Sequence, residues 1–160
     1  MPDAQRGFVE EMGLLFEAER FPRIAGRVLG FLLLAEEAAS LDAIAAALDV
    51  TKASVSTNAR MLEARGLVER VSHPGDRRDH YRIVADLPHR TLEARVARMR
   101  RVRDVLARGQ ATVQPTSKAV RTRFRHMVAA YDFVLQVTTR ALDELPERLD
   151  RARATSSPSR

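Results

Sequence analysis

The chain has 160 residues, 27 basic and 21 acidic, for a net charge of +6 and a sequence pI near 10.8. Hydrophobic residues make up 45% and charged residues 30%, which fits one ordinary globular domain and excludes collagen-like and low-complexity classes. There is no cysteine, so disulfides, thiolate catalysis and thiolate-bound zinc are excluded. Two Tyr and no Trp leave little for a base-stacking platform.

The N-terminus lacks a basic stretch followed by an apolar run, so no signal peptide is expected. The most apolar stretch, 28–35, is far shorter than the roughly 20 residues a membrane span needs. The expectation is a cytoplasmic protein without a membrane partner.

In chain order, Phe8, Met12, Leu15 and Phe16 recur at helical spacing and predict an amphipathic helix over 4–20. Pro22 restarts the chain, and Ile24, Val28, Phe31, Leu32 and Ala35 line a second helix. Gly26 and Gly30, four apart on it, point to close packing against a neighbour. Ser40 is a good N-cap for a short helix carrying Leu41, Ile44, Ala45 and Leu48. The pattern breaks at Asp49-Val50. Thr51 caps the next helix, with Val55, Ala59 and Leu62 inward and Gly66 as a left-handed stop.

Two short β-like runs, 67–72 and 81–85, flank the turn His73-Pro74-Gly75-Asp76 and read as a hairpin. A long helix over about 88–110 follows, with Leu92, Val96, Met99, Val102 and Leu106 on one stripe. Gly109 and Pro115 interrupt it. A last helix carries Val120, Phe124, Met127, Tyr131, Leu135, Leu142, Leu145 and Leu149, bent or ended near Pro146.

The fold class expected is mainly α with a small β-hairpin wing: a winged helix-turn-helix flanked by long helices. The expected regions are 1–39 for support and dimerisation, 40–86 for the winged helix, 87–150 for the long dimerisation helices, and 151–160 as a disordered tail. The outer apolar stripes exceed what this chain can bury alone, so a second copy is the expected cover. Phe8, Met12, Leu15 and Phe16 of the first stripe, with Val120, Phe124, Met127, Tyr131, Leu135 and Leu142 of the last, are the residues expected there.

Function is read from the helix capped by Thr51. At about 100° per residue, Ala53, Ser56, Thr57 and Arg60 face away from Val55, Ala59 and Leu62. That outer face is small, polar and nearly free of acid, so it can enter a major groove of double-stranded DNA. Ser56 and Thr57 can reach base edges or phosphates. Arg60 suits a guanine edge or a phosphate. Lys52, Ser54 and Asn58 flank the face and suit phosphate anchoring. On the hairpin tip, Arg77 and Arg78 suit a narrow minor groove, with Asp76 placed to orient one of them.

Val55-Ser56, Leu62-Glu63, Gly66-Leu67-Val68, Arg70 and the run from Pro74 to Asp79 resemble the MarR-type winged-helix regulators. The blocks at 8–13 and 22–27 resemble their GbsR-like branch. The resemblance covers about residues 5–145. It implies a homodimeric transcriptional regulator, dimerised by its first and last helices; two-fold symmetry then predicts a pseudo-palindromic operator. It makes Arg78 the groove-inserting arginine, with Arg77 beside it and Asp76 as orienter. It also leaves room for a small-molecule effector of unidentified chemistry. A choline-like cation would want an aromatic cage, and the few aromatics here lie mostly on apolar stripes.

No phosphate loop, nucleophile elbow or paired-His helix occurs, so neither an enzyme nor a cofactor is expected. His73, His80, His89 and His126 match no metal-ligand spacing. The rival reading is a protein-interaction adaptor built on the same winged helix. Charge is uneven: residues 1–40 carry 4 basic and 7 acidic groups, residues 87–130 carry 11 and 2. Arg98 and Arg101 are expected to meet either DNA or the acids of the first helix.

Overall fold

A computed structural model of the protein describes residues 1–72, 78–113 and 117–156, without the side chains of 153, 155 and 156. It falls into two compact units, Met1–Leu87 and Pro88–Arg160.

The first unit opens with helices α1 (Asp3–Ala18) and α2 (Arg23–Leu34). Arg20 turns left-handed at φ 62°, and Pro22 presets the entry to α2. The Phe16 and Phe21 rings, 5.8 Å apart, pack across this corner. The two helices cross backbone to backbone. A Cβ on Gly26 would strike the Met12 carbonyl and stand 2.9 Å from Gly13 Cα; one on Gly30 would lie 3.1 Å from Met12 Cβ. The glycine spacing therefore marks a close crossing, as expected.

Next come β1 (Ala39–Ser40), α3 (Leu41–Leu48) and α4 (Lys52–Ala64). Ser40 Oγ accepts from the Ala43 amide and Thr51 Oγ1 from the Ser54 amide, both at 3.2 Å, so each expected N-cap forms. Between the helices Asp49 adopts the left-handed conformation, with φ and ψ both 53°. Gly66, at φ 69°, ends α4; the Gly66 amide bonds Glu63 O and the Leu67 amide bonds Leu62 O.

The chain continues into β2 (Val68–Val71) and β3 (His80–Ile83), paired antiparallel with Val68 opposite Ile83 and Val71 opposite His80. The expected hairpin strands are present, but the sheet has a third strand. Ala39 and Ser40 pair with Tyr81 and His80, giving the order β1-β3-β2. A two-residue strand that ends on the helix cap Ser40 carries no strand periodicity, so it has no signal of its own. The core of the unit joins Val9, Ala25, Val28, Ile44, Val55, Ala59, Leu62, Val68 and Tyr81, all at most 2% exposed.

The second unit holds α5, which runs Leu87–Thr112 from the last residue of the first unit, and α6 (Lys118–Ser156). Arg103 Nε donates to Asp132 Oδ1 at 2.8 Å, and a Cβ on Gly109 would lie 3.1 Å from the Phe124 ring. Val96 is buried on α5, whereas no described residue of α6 is buried. Pro146 does not end α6, which continues to Ser156, past the boundary expected at 150. Pro146 is exposed, and ion pairs bracket it: Arg140–Glu144, Glu144–Arg148 and Glu147–Arg151. No helix among the described residues is long and apolar enough to cross a membrane.

Candidate nucleic-acid interface

Helix α4 presents two faces. Val55, Ala59 and Leu62 are fully buried against the core of the first unit. Opposite them Lys52, Ala53, Thr57 and Arg60 are exposed, and Ser54 and Ser56 are half-buried. Seven of the nine expected DNA-facing residues lie on α4, and six of those seven reach solvent. The exception is Asn58. It is buried, and its Nδ2 donates to Ser54 O at 2.8 Å, so it braces the helix from inside rather than standing on the outer face. The physical reason is its position: three residues after Val55, it stands only about 60° from the inward face.

Existing bonds set what the outer face can do. Thr57 Oγ1 donates to Ala53 O at 3.1 Å, spending its hydrogen on its own helix and leaving the oxygen to accept. Arg60 Nε donates to Ser56 O at 3.3 Å, which lays the guanidinium along the helix while its other N–H groups point elsewhere. Lys52 Nζ bonds Asp42 Oδ2 at 2.9 Å, linking α4 to α3. Both partners are about half exposed, so the pair is a weak surface bridge that a phosphate can replace.

The sheet lies beside this helix. Arg82 Nε donates to Glu69 Oε1 at 2.7 Å, and Arg70 lies between Asp79 Oδ1 at 3.4 Å and Glu63 Oε1 at 4.0 Å. Burial pushes the Tyr81 hydroxyl above the ordinary tyrosine pKa, and the Glu63 and Asp79 carboxylates push it further. Arg78 is exposed at a bend, with its carbonyl 3.1 Å from His80 Nδ1. Arg77 and Asp76, like His73, lie outside the described residues.

One contact near α4 was not foreseen. Arg65, just past its last turn, stands 4.8 Å over the Phe21 ring and ties α4 to the α1–α2 corner. Aromatic and arginine 44 residues apart leave no local signal.

The residues expected between two copies divide. On α1, Met12 and Phe16 pack against the chain's own core, while Phe8 and Leu15 are exposed. On α6, Val120, Phe124, Tyr131, Leu135 and Leu142 are half-buried, and only Met127 is exposed. A second apolar face of α6 is open: Met127, Ala130, Val134, Val137 and Ala141 are all exposed, and Phe133 beside them is 67% exposed. Val134, Ala141, Ala130 and Val137 stand about 60° to 120° around the helix from Tyr131. Their spacing carried the signal, which the stronger first stripe masked. A cavity of about 300 Å³ lies between α5 and α6, lined by Met99, Ala130, Tyr131 and Val134. Among the described residues no three His, Asp or Glu side chains group as metal ligands.

A capped helix-turn-helix followed by an antiparallel hairpin, with longer helices before and after it in the chain, defines a winged-helix protein. The MarR family profile matches residues 21–79, and the chain belongs to the MarR family. It is 32% identical over 142 residues to the HTH-type transcriptional regulator MmpR5 of Mycobacterium tuberculosis, covering 88% of this chain and 86% of that protein. A crystal structure of a transcriptional regulator matches with a TM-score of 0.75 and 32% identity, over 91% of this chain and 99% of that one.

Proposed function

We propose that this chain is a sequence-specific transcriptional regulator that binds double-stranded DNA as a homodimer. The observation that carries the reading is the division of α4: its aliphatic side is sealed into the core, and Lys52, Ala53, Thr57 and Arg60 are open to solvent on the other. A rigid helix with a small, basic outer face fits a major groove, and Arg78 on the neighbouring bend fits the adjacent minor groove. MmpR5, named as an HTH-type transcriptional regulator, supports the same reading.

The homodimer rests on α6, whose Met127, Val134 and Val137 side chains are 41–53% exposed in a single chain. Burying that face against a second copy removes apolar surface from water at about 25 cal/mol per Å². Two-fold symmetry then sets a pseudo-palindromic operator with half-sites about 10 base pairs apart, or a multiple. The blocks at 8–13 and 22–27 support placement in the GbsR-like branch. The apolar cavity between α5 and α6 is the place for a small-molecule effector.

The test is a fluorescence-anisotropy screen of labelled genomic fragments at several salt concentrations. The expected result is tight binding to a few fragments, with affinity falling steeply as salt rises because counterions are released. Equal, weak binding to every fragment overturns the reading and leaves the adaptor.

A further inference from the structure

Positive charge is unevenly placed along the last two helices. Between Asp104 and Asp132 lie 27 residues with five cations, Arg108, Lys118, Arg121, Arg123 and Arg125, and no carboxylate. Flanking this stretch, some arginines meet carboxylates: Arg103 bonds Asp132, and Arg140 and Arg148 both bond Glu144, at 2.8, 3.0 and 3.2 Å. Lys118, Arg123 and Arg125 have no carboxylate of any described residue within ion-pair distance.

Three of these cations converge. Lys118, Arg121 and Arg125 stand three, four and seven residues apart, within an arc of about 60° on the first turns of α6. With Thr122 of α6 and Gln110 of α5 they line a recess of about 480 Å³. Arg125 Nη2 donates to Thr122 Oγ1 at 3.4 Å, which holds its guanidinium along the wall. Ser117 caps the helix there by accepting from the Val120 amide at 3.3 Å, so the positive end of a 39-residue helix faces the same region.

Like charges at these spacings repel one another and lower helix stability. Gathered in a concave recess, they raise the local positive potential and draw in anions. The volume suits a small molecule rather than a duplex, whose backbone meets cations strung along an open surface. Arginine forks match phosphate oxygens in pairs, and the ammonium supplies a mobile third charge.

We propose that this recess binds a small, multiply charged anion bearing phosphate groups. Lys118, Arg121 and Arg125 neutralise it, and Gln110 and Thr122 complete its hydrogen bonds. The site uses no residue of α4, so it stands apart from the DNA-binding reading.

Inorganic pyrophosphate is the probe, titrated calorimetrically into the full chain at ionic strength held constant with potassium chloride. The expected result is saturable binding of one pyrophosphate per chain. The variant K118Q/R125Q, shown to be folded by circular dichroism, weakens it about tenfold or more. The variant R98Q/R101Q, which removes the same charge from exposed positions on α5 outside the recess, leaves it within about twofold. No saturable binding overturns the proposal. So does equal weakening by both variants, which is the signature of diffuse charge. If K118Q/R125Q lowers DNA affinity while pyrophosphate fails to bind, these cations are backbone contacts and the proposal is again overturned. Failure of the α4 reading shows separately, in DNA binding by Arg60→Ala.

Discussion

Arg27 Nη2 donates to the Leu48 carbonyl oxygen at 2.7 Å, tying α2 to the corner between α3 and α4. That carbonyl belongs to the last turn of α3, where no intrahelical donor remains, and a cation there also complements the helix dipole. The same guanidinium lies 2.7 Å from Glu10 Oε1 of α1 through its Nε, which is buried and out of line for a hydrogen bond. Arg23 bonds the other oxygen of Glu10 at 3.0 Å. One arginine thus joins α1, α2 and the helix-turn-helix corner.

Arg27→Ala is expected to lower unfolding stability by about 1–3 kcal/mol, because it strands a helix-end carbonyl and leaves Glu10 with Arg23 alone. Glu10→Gln keeps the bond to Leu48 and is expected to cost about 1 kcal/mol or less, since its pairs are partly exposed. Urea unfolding of both variants checks the order. Equal losses would assign the effect to the ion pair.

Gly26→Ala is expected to cost about 1–3 kcal/mol, because the added carbon meets backbone that cannot swing aside. Gly7→Ala is expected to do the reverse. Nothing lies within 4 Å of a Cβ at Gly7, which sits in an exposed turn of α1, and alanine there is worth about 0.5–1 kcal/mol. Thermal unfolding of the pair reads both signs in one experiment.

Arg60→Ala is expected to reduce discrimination at one or two base pairs by about 1–3 kcal/mol. Equal weakening on all sequences would make Arg60 a phosphate anchor. Arg78→Ala is expected to cost much of the affinity with folding intact. Asn58→Ala is expected to act the other way, losing about 1 kcal/mol of stability while base preference holds. Anisotropy on matched and mismatched duplexes, beside urea unfolding, separates the three.

Val137→Asp places a charge on the open face of α6. The expected result is a folded monomer by sedimentation equilibrium, where the unaltered chain sediments as a dimer. An unchanged mass would move the contact elsewhere.

Stability is expected to fall at high pH through Tyr81. Its folded-state pKa is raised above the ordinary value near 10, so the folded form keeps a proton that the unfolded form releases. The contribution is complete below pH about 10 and is lost as pH climbs above it. Tyr81→Phe is expected to remove that alkaline loss. Glu144 carries the opposite sign. Hydrogen bonds from Arg140 and Arg148 lower its pKa, so its contribution holds at neutral pH and fades on acidification. Unfolding midpoints across pH, with Glu144→Gln for the acid limb, check both.

Much of this arrangement is legible in the chain because it is local. Ser40, Thr51 and Gly66 announce helix ends through their own backbone chemistry, and Val55, Ala59 and Leu62 announce a face by spacing alone. The winged helix follows from these few residues. What was not legible depends on partners far along the chain. Strand β1 exists because β3 lies beside it. Arg65 finds Phe21 only after folding. Polarity alone groups Asn58 with its neighbours, whereas its angle on α4 turns it inward. The second stripe of α6 shows the converse: its pattern was present, yet periodicity does not say which of two apolar faces a neighbouring helix will cover.

The crossing at Gly13 and Gly26 has a mechanical consequence. At Gly26 backbone lies directly on backbone, so at that point no side chain separates α1 from α2, while the Met12 side chain fills the space beside Gly30. The pair is a welded joint. A displacement imposed on α1 is expected to carry α2 with it and, through Arg27, to act on the corner from which α4 departs.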